Sequence, residues 1–229
     1  MSASGSPLAT VRVWDLPTRL FHWVLVLVVI GSLTSAKIGG GAMVWHFRFG
    51  YMVLALLLFR LLWGVVGGRW SRFGSFVYAP GAVLRYLRGQ SRAGDQHEVG
   101  HSPLGALSVF ALLALLTAQV GTGLVADDEI ANVGPLNRFV SGAAASGATS
   151  WHKVYGEWLL WTLLGLHVIA VLVYQFAKKR DLIGPMVGGD KRLPPGTPAS
   201  TDSAGTRWLA LVLLALALAL AGWVSRQGG

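Results

Sequence analysis

Cysteine is absent from all 229 residues. This excludes disulfides, thiolate metal sites and covalent Cys-x-x-Cys-His attachment of a c-type haem. Charge is also scarce: Asp, Glu, Lys and Arg make up only 13% of the chain, and acidic residues number 10. A soluble domain carries roughly a quarter of its residues as charges, so an ordinary water-facing surface is excluded. What replaces charge is apolar. Hydrophobic residues reach 53% and mean hydropathy is +0.55.

The apolar residues fall into five runs, Leu20–Ala36, Val44–Val66, Leu104–Val125, Trp151–Ala177 and Trp208–Val224. Each approaches the roughly 20 residues that a helix needs to cross the hydrocarbon core. The fold class is therefore all-α integral membrane, with the lipid bilayer as its first partner. Arg12 and Arg19 precede the first run, and Thr34-Ser35-Ala36 at its end resembles a signal-peptide cleavage site. The charged flank is long for such a leader, and cleavage would discard His22, so the run is read as a crossing.

The net charge of +9 is distributed in a way that excludes nucleic acid as the partner. With the N-terminus cytoplasmic, Arg12, Arg19, Arg69, Arg72, Arg85, Arg88, Arg92, Lys178, Lys179, Arg180, Lys191, Arg192 and Arg207 lie inside. Lys37, Arg48, Arg138, Lys153 and Arg226 lie outside. That asymmetry follows the positive-inside rule and suits anionic lipid head groups. Five crossings place the C-terminus outside.

Between the runs, residues 1–13 read as a flexible lead. The short Gly-rich connection from Lys37 to Met43 makes the first two helices antiparallel neighbours. Pro80 with Val83, Leu84, Tyr86 and Leu87 on one side and Arg85 and Arg88 on the other reads as a short interfacial helix. The segment Ser141–Ser150 reads as a lid or docking surface, and Asp127-Asp128-Glu129 as an acidic patch suited to a basic partner. The segment 184–206, with prolines 194, 195 and 198, reads as a tether. The division is thus a four-helix unit over 14–183, a linker, and an additional helix over 207–226 without histidine.

Four histidines lie in or at the ends of the crossings: His22, His46, His152 and His167. His152 and His167 are separated by about 22 Å along a helix but only about 60° around it. One metal ion cannot bind both, so each needs a partner from another helix. By depth, His22 matches His167 and His46 matches His152. Paired axial imidazoles suit a non-covalent haem b, low-spin and closed to substrate. His167 lies well inside its run, where a charged group costs about 2.5–3.5 kcal/mol and an ionisable residue is functional by default. His97 and His101 fall in a loop and read as solvated or helix-capping. Arg60 sits about 21 Å along its helix from His46, where it meets a haem propionate or snorkels to the surface. Glu157, one turn past His152, is placed to orient a ligand, carry a proton or pair with Lys153. Glycines 31, 50, 105, 121, 123, 156 and 165 offer surfaces for close approach of helices or a macrocycle.

The stretches Val13-Trp14-Asp15-Leu16-Pro17-Thr18-Arg19-Leu20-Phe21-His22-Trp23, Gly100-His101-Ser102-Pro103-Leu104-Gly105 and Trp151-His152-Lys153, with His167 following, resemble the bacterial cytochrome b561 family, related to the b-type cytochrome subunits of nickel-iron hydrogenases. The resemblance covers about residues 11–190. It implies a four-helix haem-binding bundle, two b haems on the four histidines, a bacterial inner-membrane location, and electron exchange between a quinone or quinol and a redox partner such as a c-type cytochrome. Alternatives it leaves open are a haem-containing anchor for a hydrogenase, dehydrogenase or pigment-protein complex, and a superoxide oxidase. The fifth helix lies outside the family core.

Overall fold

The computed structural model describes residues 7–90 and 99–228. Among them, five helical segments are long and apolar enough to cross a membrane, as the runs of the sequence lead one to expect.

Helix α1 (Leu16–Ile38) starts where the Asp15 carboxylate accepts the Thr18 N–H at 2.8 Å and Pro17 occupies the first turn, a standard helix start. It stops at Gly39, whose N–H donates to the Ser35 carbonyl. Gly39 and Gly40 have φ of 68° and 53°, a region other residues avoid. The chain therefore reverses within a few residues into α2 (Met43–Val66), which packs antiparallel against α1.

Helix α2 is the centre of the molecule. Val53, Ala55, Leu56, Leu57, Phe59 and Trp63 are all buried on it, and it touches α1, α4 and the last helix. The short helix α3 (Pro80–Leu87) forms where expected and is tied down by the Tyr86 hydroxyl, 3.0 Å from that of Tyr174. Ser102 caps α4 (Pro103–Val125), accepting the Gly105 N–H at 3.2 Å.

The lid reading of Ser141–Ser150 does not hold. Ser141 caps a helix, α5 (Gly142–Ser150), that runs through a π turn at Trp151–Tyr155 into α6 (Gly156–Leu172) and a second π turn at Val173–Ala177. The whole is one helical segment of 36 residues, roughly 54 Å long. That exceeds the roughly 30 Å of a hydrocarbon core. Ala and Ser are good or neutral helix formers once a cap and a following helix are supplied, which is why a Gly/Ala/Ser run need not be loose.

Nor does the structure find a loose lead from residue 7 on, or a free tether; residues 1–6 of the expected lead lie outside the described residues. Strand β1 (Ala9–Arg12) pairs antiparallel with β2 (Asp190–Leu193), which follows the short helix α7 (Ile183–Gly188). Val13 and Trp14 donate to the Gly189 carbonyl, and Trp70 Nε1 donates to the Pro198 carbonyl at 2.8 Å. The buried Ser200 donates to the Val13 carbonyl at 2.7 Å. Val11, Val13, Trp14, Trp70, Val99 and Leu193 make a second small core there. Backbone pairing needs no particular side chains, so composition alone does not reveal it.

The last helix, α8 (Ala204–Ser225), lies along α2 with Ala210, Ala217, Ala221 and Val224 buried on one face. Small residues on such a face let two backbones approach closely.

Candidate functional site

The four candidate histidines form two groups at opposite ends of the bundle. His46 sits in the first turn of α2, and His152 in the π turn ahead of α6. Such a turn adds a residue to the helical repeat and commonly re-aims a side chain at a functional site. Their ring centroids are 5.8 Å apart with planes at 75°. Two imidazoles bound at about 2 Å to one metal would have centroids about 6 Å apart, so the spacing suits a shared ion.

The back of each ring is held. His46 Nδ1 lies 3.0 Å from the Ser32 carbonyl and 3.2 Å from its hydroxyl. His152 Nδ1 lies 2.9 Å from the Gln119 carbonyl. A carbonyl can only accept, which fixes the proton on Nδ1 and leaves the Nε2 lone pair free to ligate, the usual outer-shell arrangement for a metal-binding histidine. Beside them is a cavity of about 490 Å³ whose walls include Val29, Leu33, Val53, Leu116 and Leu160. A Cβ at Gly50, one turn past His46, would meet nothing within 4 Å. Lys37, Lys153 and Glu157 also line this cavity. Glu157 forms an ion pair with Lys37, the partner on α1, and accepts from Trp161 Nε1 at 3.3 Å.

His22 and His167 occupy the other end, on α1 and α6, within electrostatic range of each other. His167 Nδ1 is 3.3 Å from the Ser108 hydroxyl on α4. His22 stands edge-on to Trp23, and its buried Nδ1 has no partner. Arg60 does not snorkel. It is 3% exposed, its guanidinium lies 4.6 Å over the Phe73 ring, and its Nη1 is unpartnered. Gly64 makes room for that ring, since a Cβ there would collide with it.

His101 is neither solvated nor a cap. Its ring packs at 4.4 Å from Phe76 and 4.7 Å from Trp14, and its buried Nδ1 has no partner. Burial, reinforced by the positive charge of Arg60 and Lys191 and by His167 and His22, pushes its pKa down to about 3. The imidazole is neutral at physiological pH. His97 lies outside the described residues.

Asp15 is a residue that the histidine pattern does not flag. Its Oδ1 accepts from Thr18 N and from Trp63 Nε1 at 3.1 Å. Its Oδ2 accepts from Gly68 N at 3.1 Å and from the Ser71 hydroxyl at 2.6 Å. The carboxylate locks the start of α1 to the end of α2, and so sets His22 relative to Arg60. The Asp-Leu-Pro stretch signals a cap in the sequence, but not these distant donors. The acidic patch, for its part, is largely spent on its own loop: Asp128 accepts from the N–H groups of Ile130, Ala131 and Asn132.

Among the described residues no group of three or more His, Asp or Glu side chains could hold a bare metal ion. Paired histidines, free Nε2 atoms and an apolar cavity instead suit a planar macrocycle that brings its own equatorial ligands. Haem fits these residues.

Comparison with known proteins agrees. The chain is 25% identical over 218 residues, covering 82% of itself and 89% of the relative, to a protein of Cupriavidus necator named "Probable Ni/Fe-hydrogenase B-type cytochrome subunit". It is 25% identical to a protein of the same name from Bradyrhizobium diazoefficiens, covering 83% of itself and 88% of that relative. A third, from Escherichia coli K12, is named "Probable Ni/Fe-hydrogenase 1 B-type cytochrome subunit" and is 25% identical over 77% of this chain and 88% of its own length. No solved structure matches. The profile described as prokaryotic cytochrome b561 matches residues 13–189, nearly all of the chain ahead of α8, and this multi-pass membrane protein therefore belongs to the prokaryotic cytochrome b561 family of b-type cytochromes.

Proposed function

We propose that the chain is a di-haem b-type cytochrome that moves electrons between the quinone pool and a redox partner protein in the bacterial inner membrane. The observation that carries this reading is the division of four histidines into two groups at opposite ends of one bundle. His46 and His152 stand 5.8 Å apart across one end, and His22 and His167 face the other. Haem, when bound, supplies one-electron chemistry, iron alternating between ferrous and ferric states. The protein's share would be to hold that group with His46, His152, His22 and His167, to fix the tautomers of His46 and His152 through the Ser32 and Gln119 carbonyls, to orient His167 beside the Ser108 hydroxyl, and to exclude water with an apolar wall. Held by a histidine pair in this way, each haem would supply outer-sphere electron transfer rather than oxygen binding.

The charge asymmetry of the loops supports a topology with the His22 end and the N-terminus in the cytoplasm, the His46 end in the periplasm and the C-terminus outside. The names of the relatives support a hydrogenase-like complex as the protein partner, rather than a soluble cytochrome acting alone. The test is to mix purified oxidised protein with a quinol analogue and follow haem absorbance by stopped flow. Rapid reduction without any protein partner is the result expected. Haems that stay oxidised with quinol but are reduced by a reduced hydrogenase would reverse the direction, making the chain a quinone-reducing subunit.

A further inference from the structure

At the His22 end, the buried nitrogens that lack a hydrogen-bond partner include, besides Nδ1 of His22 itself, Nη1 of Arg60 on α2 and Nδ1 of His101 just ahead of α4. A buried polar atom without a partner is costly and rare, so each marks an acceptor that the polypeptide does not provide. Asp15, the carboxylate within electrostatic range of Arg60, cannot be that acceptor. It already serves Thr18, Trp63, Gly68 and Ser71.

The two donors belong to one assembly. Arg60 stacks over Phe73 at 4.6 Å, Phe73 meets Phe76 edge-on at 5.9 Å, and Phe76 packs on His101 at 4.4 Å. Trp14 closes the far side of His101 at 4.7 Å. The aromatic chain packs around both groups and buries Arg60 Nη1 and His101 Nδ1. A neutral His101 carries one ring proton and can donate it, while Arg60 remains a cation with a fixed fork of donors. A cation and a neutral donor within electrostatic range of each other, joined by the same aromatic cluster, suit a carboxylate pair.

We propose that Arg60 and His101 together receive the two propionate carboxylates of the haem held by His22 and His167. The proposal rests on the di-haem reading above and adds His101 as a cofactor-binding residue. Loss of either donor leaves more uncompensated negative charge near that iron, which favours the ferric state and lowers the potential.

Redox titration of the purified full chain tests it. His22→Ala and His167→Ala first identify which spectral component belongs to that end; if they remove different components, the histidine pairing itself is wrong. Against that assignment, Arg60→Met and His101→Phe should move the same component to lower potential. They should also speed its haem loss to apomyoglobin by roughly tenfold, the fold-change of one charge-assisted hydrogen bond, and leave the other component unmoved. Arg60→Lys and His101→Gln, which keep a donor, should stay near wild type. A merely structural His101 would give the reverse order, because Phe preserves the packing on Trp14 and Phe76 and Gln does not; that order would overturn the proposal. An unmoved potential with slowed reduction by quinol would overturn it too, assigning the donors to a quinone carbonyl.

Discussion

Gly123 on α4 lies beneath the imidazole of His152. A Cβ there would stand 2.9 Å from the ring Cε1 and 3.2 Å from Nδ1. The ring occupies the space a side chain would take, and it is thereby set against the Gln119 carbonyl that orients it. Gly123→Val should displace the ring, at a cost of about 1–3 kcal/mol from overpacking, and disturb the centre at the His46 end while sparing the other. Redox difference spectra of the variant check this. Unchanged spectra for both centres would show that the ring has another place to go.

The histidine pairing makes a stoichiometric prediction. The wild-type protein should carry two b haems per chain in a pyridine haemochromogen assay. His46→Ala and His152→Ala should each leave one, and it should be the same one. A fully loaded wild-type preparation with a single haem would remove the second site.

Asp15 accepts four donors from four places in the chain. Asp15→Ala leaves the N–H of Gly68 and the Ser71 hydroxyl without their carboxylate acceptor and leaves the Trp63 indole only the Thr18 hydroxyl at 3.2 Å, a loss of about 3 kcal/mol or more. A clear fall in thermal midpoint in detergent, with α1 and α2 loosened together in hydrogen exchange, is the expected outcome. A midpoint within error of wild type would mean that water replaces the carboxylate.

Acid should loosen the terminal ribbon. A hydrogen bond from Arg207, with Arg12 adding its charge, holds the Asp202 carboxyl below its usual range. A carboxyl lowered by folding contributes stability that is fully present above its ordinary value near 4 and lost as pH falls through the lowered folded value. Amides of Ala9–Arg12, corrected for intrinsic rate, should therefore exchange slowly at neutral pH and faster below about 4. Asp202→Asn should exchange fast throughout. Wild-type rates that stay flat down to pH 3 would contradict this.

Reporter fusions check the topology. A fusion at Gly5 should report the cytoplasm, and one following α8 the periplasm. Both on one side would mean that one of the five helices does not cross.

Much of the architecture was legible because a membrane span is a long, uniform signal. The five runs and the short helix after Pro80 follow from composition and local chemistry. The depth matching of four histidines needed only helix rise. The burial of His101 was not legible, because it depends on Trp14 and Phe76 converging from segments far away in sequence. The same holds for the pairing of Glu157 with Lys37 rather than with nearby Lys153. Segment 184–206 was misread for a related reason: proline and small polar residues look loose in isolation, yet Trp70 and Val13 supply partners for Pro198 and Ser200.

The ribbon of β1 and β2 also sets an order of assembly. Arg12 and Asp190 are 178 residues apart in the chain, so the strand made first by the ribosome waits until almost the last helix is emerging before it finds its partner. Four crossings must already be threaded through the bilayer at that moment. Closure of the ribbon is then a late latch on biosynthesis, and a chain stalled or truncated before residue 190 would leave an unpaired strand edge exposed to chaperones and proteases on the side where it was born.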